Sequence, residues 1–191
     1  NIKMKGLLHT NGKLSYIEIK KISSLFGLNL NFFKDINGNA DLRTNINFDL
    51  DNKFRIKNLS YSSEGNIYSM ELYTEGKRMI RKYFPLYDSK IILKDTKIKL
   101  TKSKSYQIVK LKGLMQLNDN FDNFKIEHKY NFNNKSFDVK GSADLTNTTI
   151  KISKLNYIKN HSKKSELNFD INFILDKYYY IRNLNLFADE T

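Results

Sequence analysis

The stretch Ser165–Leu186, SELNFDINFILDKYYYIRNLNL, sets the tightest limit on what this chain can fold into. Leu167, Phe169, Ile171, Phe173 and Leu175 are apolar, with Glu166, Asn168, Asp170 and Asn172 between them. Successive side chains of an extended strand point to opposite faces, so this period of two gives one apolar face and one wet face. Asp176-Lys177 breaks the run, Tyr179 and Ile181 begin a second, and Leu184 and Leu186 end it. Two runs joined this closely predict an antiparallel β-hairpin.

The same grammar recurs along the chain. Ile2–Leu8 and Lys13–Ile19 read as a first hairpin about Thr10-Asn11-Gly12, because Asn and Gly tolerate positive φ. Lys20–Leu28 fits a short helical turn through Ile22, Leu25 and Phe26, with Gly27 at its end. Gly38–Leu50 is a strand with Ala40, Leu42, Ile46, Phe48 and Leu50 on one face. Asp51-Asn52-Lys53 turns it into Phe54–Tyr61, Ser62–Asn66 reads as a polar turn, and Ile67–Tyr73 as another strand. Glu75–Asp88 breaks the pattern: Met79, Ile80, Tyr83 and Phe84 lie at helical spacing until Pro85 stops it.

Strands follow over Ile91–Leu100 and Tyr106–Leu117, with Asn118–Asn123 as a turn. Phe124, Ile126, His128, Tyr130 and Phe132 then alternate up to the turn Asn133-Asn134-Lys135. Phe137, Val139, Gly141, Ala143 and Leu145 continue the pattern, as do Ile150, Ile152, Leu155 and Tyr157, before the polar loop Asn160–Lys164. The expected fold is all-β: an elongated, curled antiparallel sheet with one or two short helices. The chain, residues 1–191, reads as a segment of a longer protein, with a possible subdivision into 1–74 and 91–191 around the helical stretch. The chain also echoes itself. Asn45–Tyr61, NINFDLDNKFRIKNLSY, and Asp170–Leu186, DINFILDKYYYIRNLNL, share I-N-F-x-L-D, an aromatic, and I-basic-N-L.

Composition narrows the chemistry. There is no Cys, so no disulfide and no thiolate metal site. The net charge of +13 suits an anionic partner, nucleic acid or lipid headgroups. Yet Lys is spread along the chain rather than clustered, and Asn and Ile are abundant throughout, which reads as dispersed charge from a biased composition. Aromatics and basic residues interleave at Lys177–Arg182, a pattern able to stack bases, but an ordinary hairpin carries the same residues, and no nucleic-acid partner is expected. His9, His128 and His161 stand apart from one another and from acidic pairs. G-x-S-x-G, H-E-x-x-H and P-loop patterns are absent, and Asp119 and Asp122 lack the spacing and Gly of a calcium loop. No catalytic residue, metal or cofactor is expected, and the chain is not read as an enzyme.

From Phe137 to Leu186 the residues resemble a known domain. F-D-V-K-G-S-A-D-L-T-N-T-T-I-K-I, then L-N-Y-I-K, a polar loop and a long hairpin resemble the AsmA-like superfamily, closest to its YhdP-type domain. The resemblance rests on Ala143–Thr146, Tyr157 and Lys159. It departs from the family in having Tyr157 where Trp is commoner, and Asn160-His161-Ser162 where the loop usually has Gly. The resemblance implies a periplasmic protein anchored to the inner membrane by a segment outside this chain. It also implies an open β-groove with an apolar lining, and transport of phospholipid toward the outer membrane. On that basis Phe48, Val109, Leu111, Ile126, Phe132, Val139, Phe169, Ile171 and Phe173 are expected to line one apolar surface that takes acyl chains. A scaffold for outer-membrane β-rich proteins, acting through exposed strand edges, is the alternative. Alternation alone is the same in an open groove and a closed sandwich, so it does not choose between them.

Overall fold

A computed structural model describes residues 2–26, 30, 33–74, 77–118, 120–174 and 177–188. Gly27, Leu28, Glu75, Asp119, Leu175 and Asp176 lie outside the described residues, as do the side chains of Ile22, Leu25, Phe26 and Met79. The alternation of the sequence becomes one antiparallel sheet of nine strands. In chain order these are β1 (Ile2–Leu14), β2 (Phe33–Leu50), β3 (Ile56–Thr74), β4 (Lys90–Lys102), β5 (Tyr106–Gln116), β6 (Phe121–Asn131) and β7 (Ser136–Asp144). A small hairpin, β8 (Ile150–Ile152) and β9 (Tyr157–Lys159), interrupts the meander, which resumes as β10 (Ser165–Ile174) and β11 (Tyr178–Ala188). The order across the sheet is β1-β2-β3-β4-β5-β6-β7-β10-β11, so β1 and β11 are its edges. The helices are α1 (Tyr16–Phe26) and α2 (Lys77–Arg81).

The sheet is curled but not closed, and among the described residues the only other sheet is the small β8–β9 hairpin, which covers one end of it. Its exposed area of 12679 Å² agrees with a single open layer. A compact chain of 22.5 kDa would expose about 9,500 Å². The excess of about one third is what a single layer with an uncovered face leaves in water.

Two turns expected from sequence are strand. β1 runs unbroken through Thr10-Asn11-Gly12, where Asn11 pairs with Asp41 and Gly12 with Ala40. The partner of β1 is therefore β2, and Tyr16–Ile19 belongs to α1 rather than to a second strand. The signal for that helix is Ser15-x-x-Glu18, a capping box: the Ser15 backbone N–H and hydroxyl both donate to Glu18 Oε2, at 2.8 and 2.7 Å. Ser62–Asn66 is likewise the middle of β3, with Gly65 opposite Leu42 and Ile98. A long strand with polar residues on both faces, Ser63 here buried on the inner one, looks locally like a loop. The expected turn Asn118–Asn123 also gives way to β6 from Phe121 onward.

The helical stretch does not interrupt the sheet, because β3 and β4 pair directly from Tyr61↔Lys102 to Tyr73↔Lys90. The buried Tyr87 ties the connection back: its hydroxyl bonds Thr74 Oγ1 at 2.6 Å, and its carbonyl accepts from Arg81 Nε at 2.6 Å. The two I-N-F-x-L-D segments both form hairpins, in different registers. Ile46 pairs with Tyr61, whereas Ile171 pairs with Ile181. In the first hairpin Asp51 sets a wider loop by accepting from the Lys53 and Arg55 backbone N–H groups and from Arg55 Nε. These bonds, Arg55 above all, hold the Asp51 carboxyl below its usual range.

Candidate functional site

Register gathers most of the apolar positions of the nine strands on one inner face. A row across the middle reads Leu8, Thr44, Ser63, Leu100, Val109, His128, Val139, Ile171 and Ile181. The row beside it reads Thr10, Leu42, Gly65, Ile98, Leu111, Ile126, Gly141, Phe169 and Leu184. Three local shifts keep these rows in phase. Asp95, at φ 46°, bulges β4 so that Ile91 and Leu93 share a face with Thr96, Ile98 and Leu100. Tyr68 in β3, against β2, and Arg182 in β11, against β10, are skipped in the same way.

Seven of the nine residues expected to share a surface do so contiguously: Val109, Leu111, Ile126, Val139, Phe169, Ile171 and Phe173 span β5, β6, β7 and β10. Phe48 lies away from them, opposite Met4 at the far end of β2. Phe132 follows the end of β6 and meets the patch only at its corner, edge-on to Tyr130 with ring centroids 5.1 Å apart. All nine are half-buried, and Leu111 and Ile126 also pack against the buried cluster at one end of the face. Phe169 reaches across β7 at Gly141, where a Cβ would stand 2.4 Å from the Lys125 carbonyl oxygen and 2.9 Å from the Phe169 ring. Glycine is what lets that ring lie flat on the strand.

An aromatic row borders the patch. Tyr130, Phe137, Phe173 and Tyr179 follow one another across four strands, with centroid separations of 4.6, 4.8 and 5.8 Å. His128 joins it at 5.6 Å from Phe137. Burial among these neighbours pulls the His128 imidazole below its ordinary pKa, so it is neutral at pH 7.

Two elements cover the ends of the face and leave its middle open. At one end Leu145 and Ile150 close over Leu93, Phe124 and Ala143 to form the fully buried core, with Phe84 and Ile152 against it. Lys159 pins this cap. Its ammonium donates to the carbonyls of Leu145, Thr146 and Thr148. Burial lowers its pKa, opposed by the Asp122 and Asp144 carboxylates. Asp122 is itself buried, accepting from Thr148 Oγ1 at 2.7 Å and the Asn147 backbone N–H at 3.0 Å, rather than forming a solvated turn. The carbonyls of Leu145 and Thr146 and the Lys159 ammonium thus hold the cap together.

Over β1–β4, α1 covers the face. Between helix and sheet lies a cavity of about 160 Å³, lined by Leu8, Ile19, Leu42, Ile67, Met70 and Leu100 among others. Its Thr44 and Ser63 hydroxyls bond each other at 2.8 Å, which leaves the lining effectively apolar. A cavity of that size holds a benzene-sized group, enough for the end of an acyl chain. Ala40 and Leu42 are expected from sequence on the apolar face of a strand, but none of the lining residues is expected to enclose a cavity; the capping box marks where α1 starts, not where it packs.

Chemistry beyond apolar contact is sparse. Among the described residues no group of three or more His, Cys, Asp or Glu could hold a metal. His9 is not apart from acids after all: its Nε2 lies 2.7 Å from Asp41 Oδ1. Arg182 is held between Asp138 and Asp170, at 3.0 and 2.5 Å. No family model, no curated protein and no solved structure matches this chain.

Proposed function

We propose that the chain holds phospholipid acyl chains along its inner face, as a non-enzymatic part of intermembrane lipid transport. The observation that carries this reading is the row structure of β5–β10, seven half-buried apolar side chains side by side, with a largely apolar cavity under α1 at the β1–β4 end of the same face. Soluble proteins rarely leave so continuous an apolar surface without an occupant. A methylene chain lying there loses about 0.8 kcal/mol of hydration cost per CH₂, so a dozen carbons suffice for useful affinity. The periplasmic setting and the inner-membrane anchor come from the resemblance at Phe137–Leu186.

The decisive experiment replaces Phe169 or Phe173 by a photocrosslinking residue and separately by Asp. Crosslinks to lipid from these sites are expected. Phe169→Asp and Phe173→Asp should each cost less than the roughly 2–5 kcal/mol of a disrupted core, because both positions already meet solvent. Lipid uptake should be abolished, since an acyl chain beside a carboxylate would desolvate it. Crosslinks confined to the outer positions Asn168, Asp170 and Asn172 would reject the reading.

The scaffold alternative draws on a different observation: β1 and β11 are exposed along nearly their whole length and are unpaired on one side. It requires that a proline in β11, such as Leu184→Pro, abolish client binding while Phe169→Asp leaves it intact.

A further inference from the structure

The outer face of the same sheet carries its own pattern. Register aligns Asn66, Lys97, Lys112, Lys125, Ser142 and Asn168 in one row across β3, β4, β5, β6, β7 and β10. Three lysines therefore stand directly opposite one another, on strands about 4.8 Å apart. Like charges so placed repel and destabilise a sheet. Among the described residues no carboxylate lies within ion-pair distance of Lys97, Lys112 or Lys125. The adjacent row shows what compensation looks like here: Lys110 and Lys140 flank Glu127 at 3.0 and 3.7 Å, and Lys99 meets Glu64 at 3.8 Å.

The three lysines of this row line a depression of about 610 Å³ together with Ser142 and Lys164. The carboxylates of Asp95, Asp144 and Glu166 line it as well. We infer that this depression binds a phosphate group, carried on a lipid headgroup or free in solution, between the ammonium groups of Lys97, Lys112 and Lys125. Lysines on adjacent strands stand near enough to donate to one phosphate together, with the Ser142 hydroxyl as a further donor. The bound anion supplies the charge that the row lacks. The carboxylates of the same depression repel a long polyanion, so the site fits a compact phosphate ester or a zwitterionic headgroup rather than nucleic acid. This inference does not depend on acyl chains occupying the opposite face.

The test compares two variants of equal charge: Lys97→Gln, Lys112→Gln and Lys125→Gln together, against Lys99→Gln, Lys110→Gln and Lys140→Gln together. Binding of inorganic phosphate and of pyrophosphate is measured by calorimetry, and binding to vesicles of equal parts phosphatidylglycerol and phosphatidylcholine by sedimentation. The first variant should bind about tenfold more weakly than the parent, a difference of about 1.4 kcal/mol, and the second nearly as the parent does. Loss confined to the first variant with inorganic phosphate identifies a free-phosphate site, and loss confined to it with vesicles alone identifies a headgroup site. The first variant should also melt no lower than the parent, since its substitutions relieve repulsion. Equal losses in both variants would mean diffuse charge and would overturn the inference, as would a parent that binds none of the probes at low salt.

Discussion

Lys159→Met is the sharpest probe of how the trough is held open. Methionine keeps the length and apolar stem of lysine but removes the ammonium that bonds the Leu145, Thr146 and Thr148 carbonyls. Leu145 and Thr146 keep partners in the backbone N–H groups of Thr148 and Ser162. Among the described residues the Thr148 carbonyl keeps none. Each hydrogen bond to a charged group is worth about 1.5–3 kcal/mol. Against the sum stands the cost of burying the ammonium, several kcal/mol in real proteins. The net expected loss is about 2–4 kcal/mol. For a chain of this size that lowers the melting temperature by about 4–16 °C, read by calorimetry or by circular dichroism in urea. The loss should fall on the cap, so amide exchange at Leu145–Ile152 should accelerate before that of β5 or β6. A change below about 0.5 kcal/mol would show that the desolvation cost cancels the bonds, and that apolar contact alone carries the cap.

Other outcomes follow from the same geometry. Because burial lowers the His128 pKa, the unfolded chain takes up a proton more readily; stability is complete above about pH 6.5 and declines as pH falls below it. His128→Leu should flatten that decline between pH 7 and pH 5 in urea titrations, and an unchanged slope would mean that His128 is not its source. Gly141→Ala forces a methyl to within 2.4 Å of the Lys125 carbonyl oxygen and should cost about 1–3 kcal/mol by thermal denaturation. It should also lift the Phe169 ring off β7, giving a changed crosslinking pattern from position 169; a neutral substitution would show that β6 and β7 part easily.

Much of the fold is determined by the sequence alone. Alternation at Phe124–Tyr130 or Leu167–Phe173 requires extended chain with one apolar face, because no other regular backbone puts every second side chain on the same side. From that pattern the inner face of β5–β10 could be named residue by residue. Alternation is silent where polar residues occupy both faces, so Ser62–Asn66 and Thr10–Gly12 read as turns although neighbouring strands hold them extended. It is silent, too, on whether a second layer covers the sheet, since the apolar face is the same against another sheet or against a ligand. Only the order and register of the strands decided that. Register gathers Lys97, Lys112 and Lys125, dispersed along the chain, into one row. It also separates Phe48 from the patch it was expected to join. The return of α1 over β2 creates a cavity that no single stretch encodes, for proximity across strands is a property of pairing and not of the local pattern.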